Sequence, residues 1–283
     1  MTTWSLNSGL MVYIAVSLAA QDRPFRCPNF LKLKLPKVIV RDRRLRWPVP
    51  ESFEPSIVGH KIQSVGRRAK YLVVDVGAGH FLIHLGMSGS LRILTEDVEP
   101  GTHDHVDVIL ENGSRLRYND PRRFGSMHWV DGDPAEHWLL ADLGPEPLSE
   151  AFDGQWLYER SRGRKGPVKN FIMHQSVVVG VGNIYASEAL FLTGIHPARA
   201  AGRVSVSRYE SLAENIKITL NSAITAGGTT LRDFVGADGA AGYFTTQLHV
   251  YGREGEACDQ CGSAIKKRVI GQRSSFFCGR CQR

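Results

Sequence analysis

The stretch CDQCGSAIKKRVIGQRSSFFCGRC, residues 258–281, sets Cys258 and Cys261 in one Cys-x2-Cys pair and Cys278 and Cys281 in another, with sixteen residues between the pairs. This spacing matches the four-thiolate zinc pattern, in which two knuckles supply two ligands each and the segment between them folds into a β-hairpin. Four protein thiolates fill a tetrahedral zinc ion and leave no position for a reactive water. One structural Zn2+ is therefore expected. The unit is also basic, with Lys266, Lys267, Arg268, Arg273, Arg280 and Arg283 against Asp259 alone. The zinc thiolates offset part of that charge and leave a surface suited to a polyanion. Arg273 falls in Gly271-Gln272-Arg273-Ser274, which reads as the hairpin turn; taken alone it reads as a solvated turn arginine.

Outward from this unit, 283 residues with 42% hydrophobic content support one large or two modest cores, which excludes a disulfide-stapled miniature and a disordered tail. Lys and Arg number 35 against 28 Asp and Glu, a formal charge of +7. Four of the five cysteines lie at the end of the chain, unlike a secreted disulfide framework; only Cys27 stands apart. Residues 9–20 (GLMVYIAVSLAA) are too short to span a bilayer and have the length of a signal-peptide core, but no Lys or Arg precedes them. The signal-peptide reading is disfavoured against a buried strand or a segment foreign to the fold.

From Val38 to Val130 the pattern is that of strands. Residues 71–76 and 81–85 flank Gly77-Ala78-Gly79, and residues 106–110 meet 116–118 across Asn112-Gly113, a strong hairpin signal. An antiparallel sandwich or barrel is predicted. Gly144-Pro145-Glu146-Pro147 breaks the pattern, and helices follow. Ser207 and Glu210 read as a capping box, after which Tyr209, Leu212, Ala213, Ile216, Leu220, Ala223 and Ile224 recur at helical spacing as far as Gly227-Gly228.

Three further groups have chemistry to offer. Arg160, Arg162, Arg164, Lys165 and Lys169, interleaved with Gly163, Gly166 and Pro167, form either a strand that tracks a phosphate backbone or a solvated linker. In residues 179–188 (VGVGNIYASE), glycines and Asn183 precede a helix, either as an anion site or as a simple cap. In the β region, Lys70 follows Arg67 and Arg68, and residues 120–125 (DPRRFG) set Phe124 beside two arginines. Phe124 is a wedge for a base stack if exposed, and a core residue if not.

Taken in order, HLGMSGSL at 84–91, HDHVD at 103–107, DPRRFG at 120–125, LGPEPL at 143–148, VGVGNIYASE at 179–188, GGTTLRDF at 227–234 and the four-cysteine hairpin resemble formamidopyrimidine-DNA glycosylases, over about residues 38–283. The resemblance implies an α+β multidomain fold: an unmatched segment 1–37, an N-terminal β-sandwich 38–143, a helix-two-turn-helix domain 144–241 and a C-terminal zinc finger 242–283. It implies a monomeric enzyme of the bacterial cytoplasm and nucleoid, with no membrane role, that acts on damaged double-stranded DNA. That enzyme excises oxidised purines such as 8-oxoguanine and formamidopyrimidines, then cleaves the abasic strand by β,δ-elimination. Lys70 would contact the lesion phosphate and assist proton transfer, and Arg273 would grip phosphate and donate a proton. Met87, Arg122 and Phe124 would fill the gap left by the everted base. His103, Arg164, Lys169 and Asn183 would contact the DNA backbone, and residues 232–243 would close over the flipped base. The GGTTLRDF loop and DPRRFG favour the purine-specific branch over the endonuclease VIII branch.

One departure stands out. The family's nucleophile is the amine of a proline after the initiator Met, followed by an acid/base glutamate, whereas Thr2 and Thr3 occupy these positions. An internal proline cannot substitute, because its nitrogen is acylated. The chain as written is expected to have severely reduced glycosylase activity, through a start that is not native or through descent to a silent damage-binding protein. A zinc-ribbon RNA-binding factor is the alternative from another class.

Overall fold

The computed structural model describes residues 5–6, 31–225 and 248–283. The described residues divide into two compact units, one within residues 5–141 and one within residues 142–225 and 248–283.

In the first unit, β-branched and apolar runs separated by glycine turns form two antiparallel sheets. One has five strands in the order β1 (Ser5–Leu6), β6 (Ser90–Leu94), β8 (Arg115–Asn119), β7 (Asp104–Ile109) and β2 (Lys37–Val40). The other has the order β3 (Ser64–Arg68), β4 (Tyr71–Asp75), β5 (His80–His84) and β9 (Ser126–Val130). Both predicted hairpins are present: Val74 pairs with Phe81 around the 77–79 turn, and Val108 with Leu116 around Asn112-Gly113. Gly113 takes φ +84°, the left-handed geometry that the turn demands.

Alternate residues of the two sheets meet in one core that includes Leu72, Val74, Phe81, Ile83, Val106, Val108 and Tyr118. A one-turn helix, α1 (Phe53–Ile57), adds Phe53 edge-on to Phe81 at 6.1 Å. Burying each such ring contributes about 2–3 kcal/mol. Leu35 is fully buried in this core, so the sandwich begins before Val38.

Arg117 is buried on β8 and donates through Nε and Nη2 to Asp107 Oδ1 and Oδ2, each at 2.9 Å, while Arg41 Nη2 reaches Asp107 Oδ2 at 2.6 Å. Burial alone would raise the Asp107 pKa, but these bonds from Arg117 and Arg41 outweigh it and hold the carboxyl below the usual carboxylate range.

The second unit contains α2 (Gly154–Ser161), α3 (Val168–Ile172), α4 (Asn183–Leu192), α5 (Val206–Thr225) and the hairpin β10 (Ile265–Ile270) and β11 (Arg273–Cys278). The predicted apolar stripe of α5 is buried at Tyr209, Leu212, Ala213, Ile216, Leu220 and Ala223. Its start differs from the expectation. The helix already runs from Val206, so Ser207 is its second residue rather than its cap, and the Tyr209 N–H bonds to the Ser205 carbonyl at 3.0 Å. The stop at Gly227-Gly228 lies outside the described residues. Helix α2 approaches α5 so closely that a Cβ on Gly154 would overlap the Glu210 backbone. Helix α4, apolar on nearly every side, is buried from Tyr185 through Phe191 and packs against both α5 and β11. Among the described residues no helix is long and apolar enough to cross a membrane.

Candidate nucleic-acid interface

Two loops of the sandwich carry the predicted wedge. Residues 85–89 (LGMSG) lie between β5 and β6, and residues 120–125 join β8 to β9. Met87 is 57% and Phe124 44% exposed. The core reading of Phe124 is thereby excluded. Arg122 is also exposed, and its guanidinium stacks 4.8 Å from the centre of the Phe124 ring. Contacts of this kind contribute about 0.5–1 kcal/mol at exposed sites and keep the two side chains together.

The neighbouring Arg123 takes a left-handed backbone, φ +58°, and its guanidinium turns back to Asp42 Oδ2 at 2.7 Å and the Arg44 carbonyl at 2.8 Å. Hydrogen bonds from Arg44 and then Arg123 hold the Asp42 carboxyl far below the usual carboxylate range. Of the two arginines in DPRRFG, one faces solvent and the other anchors the loop.

Lys70 sits, exposed, in the two-residue turn between β3 and β4, where Ala69 adopts φ +53°. A left-handed alanine costs roughly 1–2 kcal/mol. The Arg67 guanidinium closes the turn by donating to the Ala69 carbonyl at 2.7 Å. Burial, then the positive charges of Lys70 and Arg46, pull His84 down to about 4, so its imidazole is neutral at physiological pH. His84 Nδ1 accepts the Gly86 N–H at 3.1 Å, which leaves the ring proton on Nε2. His103 is exposed immediately before β7, and its carbonyl receives the Asp120 N–H at 3.0 Å.

In the second unit the basic run of residues 160–169 is ordered, and its members part ways. Arg160 stacks on Trp156 at 3.7 Å and Arg162 on Tyr158 at 3.9 Å. Arg164 is exposed and tethered through Nε to the Arg160 carbonyl at 2.9 Å. Lys169 is fully buried, with Nζ donating to Ser275 Oγ at 2.7 Å and to the Ser274 carbonyl at 3.1 Å. Burial, then the charge of Arg273, pull its pKa down to about 8. These bonds tie the Lys169 ammonium to the hairpin strand that carries Arg273.

Asn183 begins α4 and joins the same group: its Nδ2 donates to the Ser274 carbonyl at 3.0 Å and meets the Tyr251 hydroxyl at 3.3 Å. Its Oδ1 is buried without a hydrogen-bond partner. The Glu188 carboxylate, one helical turn further on, accepts the backbone N–H groups of His249, Val250 and Tyr251 at 2.8–3.0 Å. Sequence reading missed Glu188 and Tyr251, whose partners are more than sixty residues away in the chain.

Arg273 is exposed as the first residue of β11, one position beyond the turn. The turn itself is Gly271-Gln272, both left-handed at φ +57° and +62°. A Cβ on Gly271 would meet the end of the Asn170 side chain on α3. The sulfurs of Cys258, Cys261, Cys278 and Cys281 all lie within 4.8 Å of one another, with Cys258–Cys281 at 3.9 Å and Cys261–Cys278 at 3.5 Å. Zn–S bonds of about 2.3 Å in a tetrahedron set sulfurs about 3.8 Å apart. The donor set fits one structural zinc ion. Residues 232–243, expected to close over the base, lie outside the described residues.

The family model "Formamidopyrimidine-DNA glycosylase N-terminal domain" matches residues 26–127, "Formamidopyrimidine-DNA glycosylase H2TH domain" residues 143–235, and "Zinc finger found in FPG and IleRS" residues 255–283. The likeness thus begins at residue 26 rather than near Val38, which brings Cys27 inside it. The formamidopyrimidine-DNA glycosylase of Syntrophotalea carbinolica is 59% identical over 256 residues, covering 90% of this chain and 94% of its own; that of Stutzerimonas stutzeri is 56% identical with the same coverage. Among solved structures, a Lactococcus lactis FPG mutant in complex with DNA containing Fapy-dG superposes with a TM-score of 0.82 at 28% identity, covering 98% of this chain and 99% of its own. The MutM (FPG) protein of Thermus thermophilus gives 0.79 at 33%, covering 98% of each chain. With two sheets, a helical unit and a four-thiolate hairpin all matched in order, the chain belongs to the formamidopyrimidine-DNA glycosylase family.

Proposed function

We propose that this protein acts in base-excision repair as a bifunctional DNA glycosylase and abasic-site lyase on oxidised purines, binding damaged duplex DNA as a monomer in the cytoplasm. The observation that carries the reading is the exposed triad of Met87, Arg122 and Phe124 on a rigid sandwich edge. A base stacked in a duplex is inaccessible at C1′, and extruding it costs a few kcal/mol, less at a damaged pair. Two apolar side chains flanked by a cation occupy the vacated space and offset that cost. Lys70 contacts the lesion phosphate and assists proton transfer. Arg273 grips phosphate from the zinc hairpin and donates the proton of δ-elimination. His103, Arg164 and Asn183 complete the backbone contacts, and Lys169 holds the hairpin strand behind Arg273. The matched sandwich and helical unit favour a glycosylase over an RNA-binding zinc ribbon.

Trapping with borohydride separates this reading from a protein that binds lesions without cutting. A covalent complex on an 8-oxoguanine duplex is the result expected of the lyase, and binding with no trapped complex would contradict it.

A further inference from the structure

The two wedge loops come from distant parts of the sandwich, yet they are locked together at one buried carboxylate. Asp120 has no solvent exposure. Its Oδ1 accepts the Ser88 hydroxyl at 2.9 Å and the Arg122 N–H at 3.3 Å, and its Oδ2 accepts the Gly125 N–H at 2.8 Å. The Tyr118 hydroxyl lies 3.3 Å from Oδ2 and 3.2 Å from the His84 carbonyl, and its single hydrogen serves one of them at a time. The backbone of Asp120 is fixed as well: its N–H bonds to the His103 carbonyl at 3.0 Å, and its carbonyl lies 2.9 Å from His105 Nε2. Ser88 adjoins Met87, while Arg122 and Phe124 lie within four residues of Asp120.

Glycine contacts support the same join independently. A Cβ on Gly86, which has φ +63°, would fall 2.5 Å from the Phe124 carbonyl carbon and 2.6 Å from the Gly125 nitrogen. A Cβ on Gly125 would overlap the Tyr118 hydroxyl and the His84 carbonyl. The two loops touch backbone to backbone, and side chains at these positions would force them apart.

We propose that Asp120 and Ser88 are positioning residues that fix Met87 in register with Arg122 and Phe124, so that the wedge enters DNA as one preset unit rather than as two independent loops. Neither residue touches DNA in this account. The inference rests on the wedge reading proposed above. A preset wedge does not reorder when it inserts, so ordering costs are met during folding and not during lesion recognition. Loosening the join therefore weakens lesion recognition while leaving sequence-independent phosphate binding in place.

The test uses the full chain and two probes: a duplex with a tetrahydrofuran abasic site, and the same duplex undamaged. A 2-aminopurine next to the orphaned base reports insertion by its fluorescence. Ser88→Ala and Asp120→Asn are each expected to lower the preference for the abasic duplex by roughly tenfold, as for loss of a hydrogen bond to a charged group. Affinity for the undamaged duplex stays at the parent value, Ser88→Thr restores the preference, and the double variant loses little more than the worse single one. Phe124→Ala abolishes the fluorescence rise. Ser88→Ala keeps the test open if Asp120→Asn unfolds, because Ser88 is only part-buried and loses one hydroxyl. Parent-like selectivity in Ser88→Ala, with the rise lost in Phe124→Ala, overturns the positioning role and leaves the wedge standing. A full rise in Phe124→Ala overturns the wedge and the proposal with it.

Discussion

The two units present cations to the same kind of partner, but opposite charges organise them from beneath. In the sandwich, Arg122 and Arg123 sit over the buried anion Asp120, which gathers loop N–H and O–H groups as an acceptor. In the helical unit, Arg273 stands near the buried cation Lys169, which gathers a carbonyl and a hydroxyl as a donor. A buried ammonium next to another cation is disfavoured in its charged form, and the Lys169 pKa falls to about 8. The sandwich edge thus stands on local geometry alone, whereas the hairpin edge depends on a metal and on a proton.

Removing the metal has the largest expected effect. Structural zinc contributes about 10–16 kcal/mol of apparent binding energy in finger peptides at neutral pH. Cys278→Ala or a strong chelator should abolish hydrogen-exchange protection in residues 265–278 while β4, β5, β7 and β8 stay protected. Loss of protection in both units together would erase the contrast. Next in size is Arg117→Ala, which removes two hydrogen bonds from the buried Asp107 carboxylate while the one from Arg41 remains, and is expected to lower sandwich stability by about 3 kcal/mol. Because the folded Asp107 pKa lies below its unfolded value, its contribution is complete above about pH 4 and is lost as the pH falls through the folded value. Acid unfolding should therefore begin at higher pH in the variant. A denaturation midpoint unchanged from the parent would show that the pair is not the support it is taken to be.

Lys169 gives a smaller effect of opposite pH sense. Lys169→Met leaves Ser275 Oγ and the Ser274 carbonyl without this donor and is expected to cost about 1–3 kcal/mol. Between about pH 8 and the ordinary lysine value near 10.4 the folded state holds fewer protons than the unfolded state, so stability rises with pH across that window. The parent-minus-variant difference in unfolding free energy should climb from pH 8 to pH 10, and a flat difference would refute the buried ammonium. Smallest in stability is Phe124→Ala, within about 0.5 kcal/mol, because the ring is exposed and supports no core.

Local signals told most about the fold. Asn112-Gly113 and the 77–79 glycines announced their hairpins because a left-handed turn needs such residues, and the Cys-x2-Cys spacing announced the zinc because its geometry is local. The α5 stripe was legible through its period, yet its start was misread, because the capping-box pattern points to Ser207 while the helix already begins at Val206, after Ser205. Site residues were harder. Lys169 reads as one more cation in a basic run, and only contacts 105 and 106 residues away reveal it as buried. Asp120 was visible within DPRRFG, but its partner Ser88 is 32 residues distant, and nothing local marks the pair.

The central claim is that the exposed wedge of the sandwich, Met87, Arg122 and Phe124, serves recognition of damaged DNA. The most direct measurement is the affinity of the full chain for a tetrahydrofuran-containing duplex, the undamaged duplex and an RNA duplex of the same sequence, at one fixed salt concentration. The account predicts that the abasic duplex is bound at least tenfold more tightly than either alternative, a difference of about 1.4 kcal/mol or more. Equal affinity for the damaged and undamaged duplexes, or a preference for RNA, would contradict it.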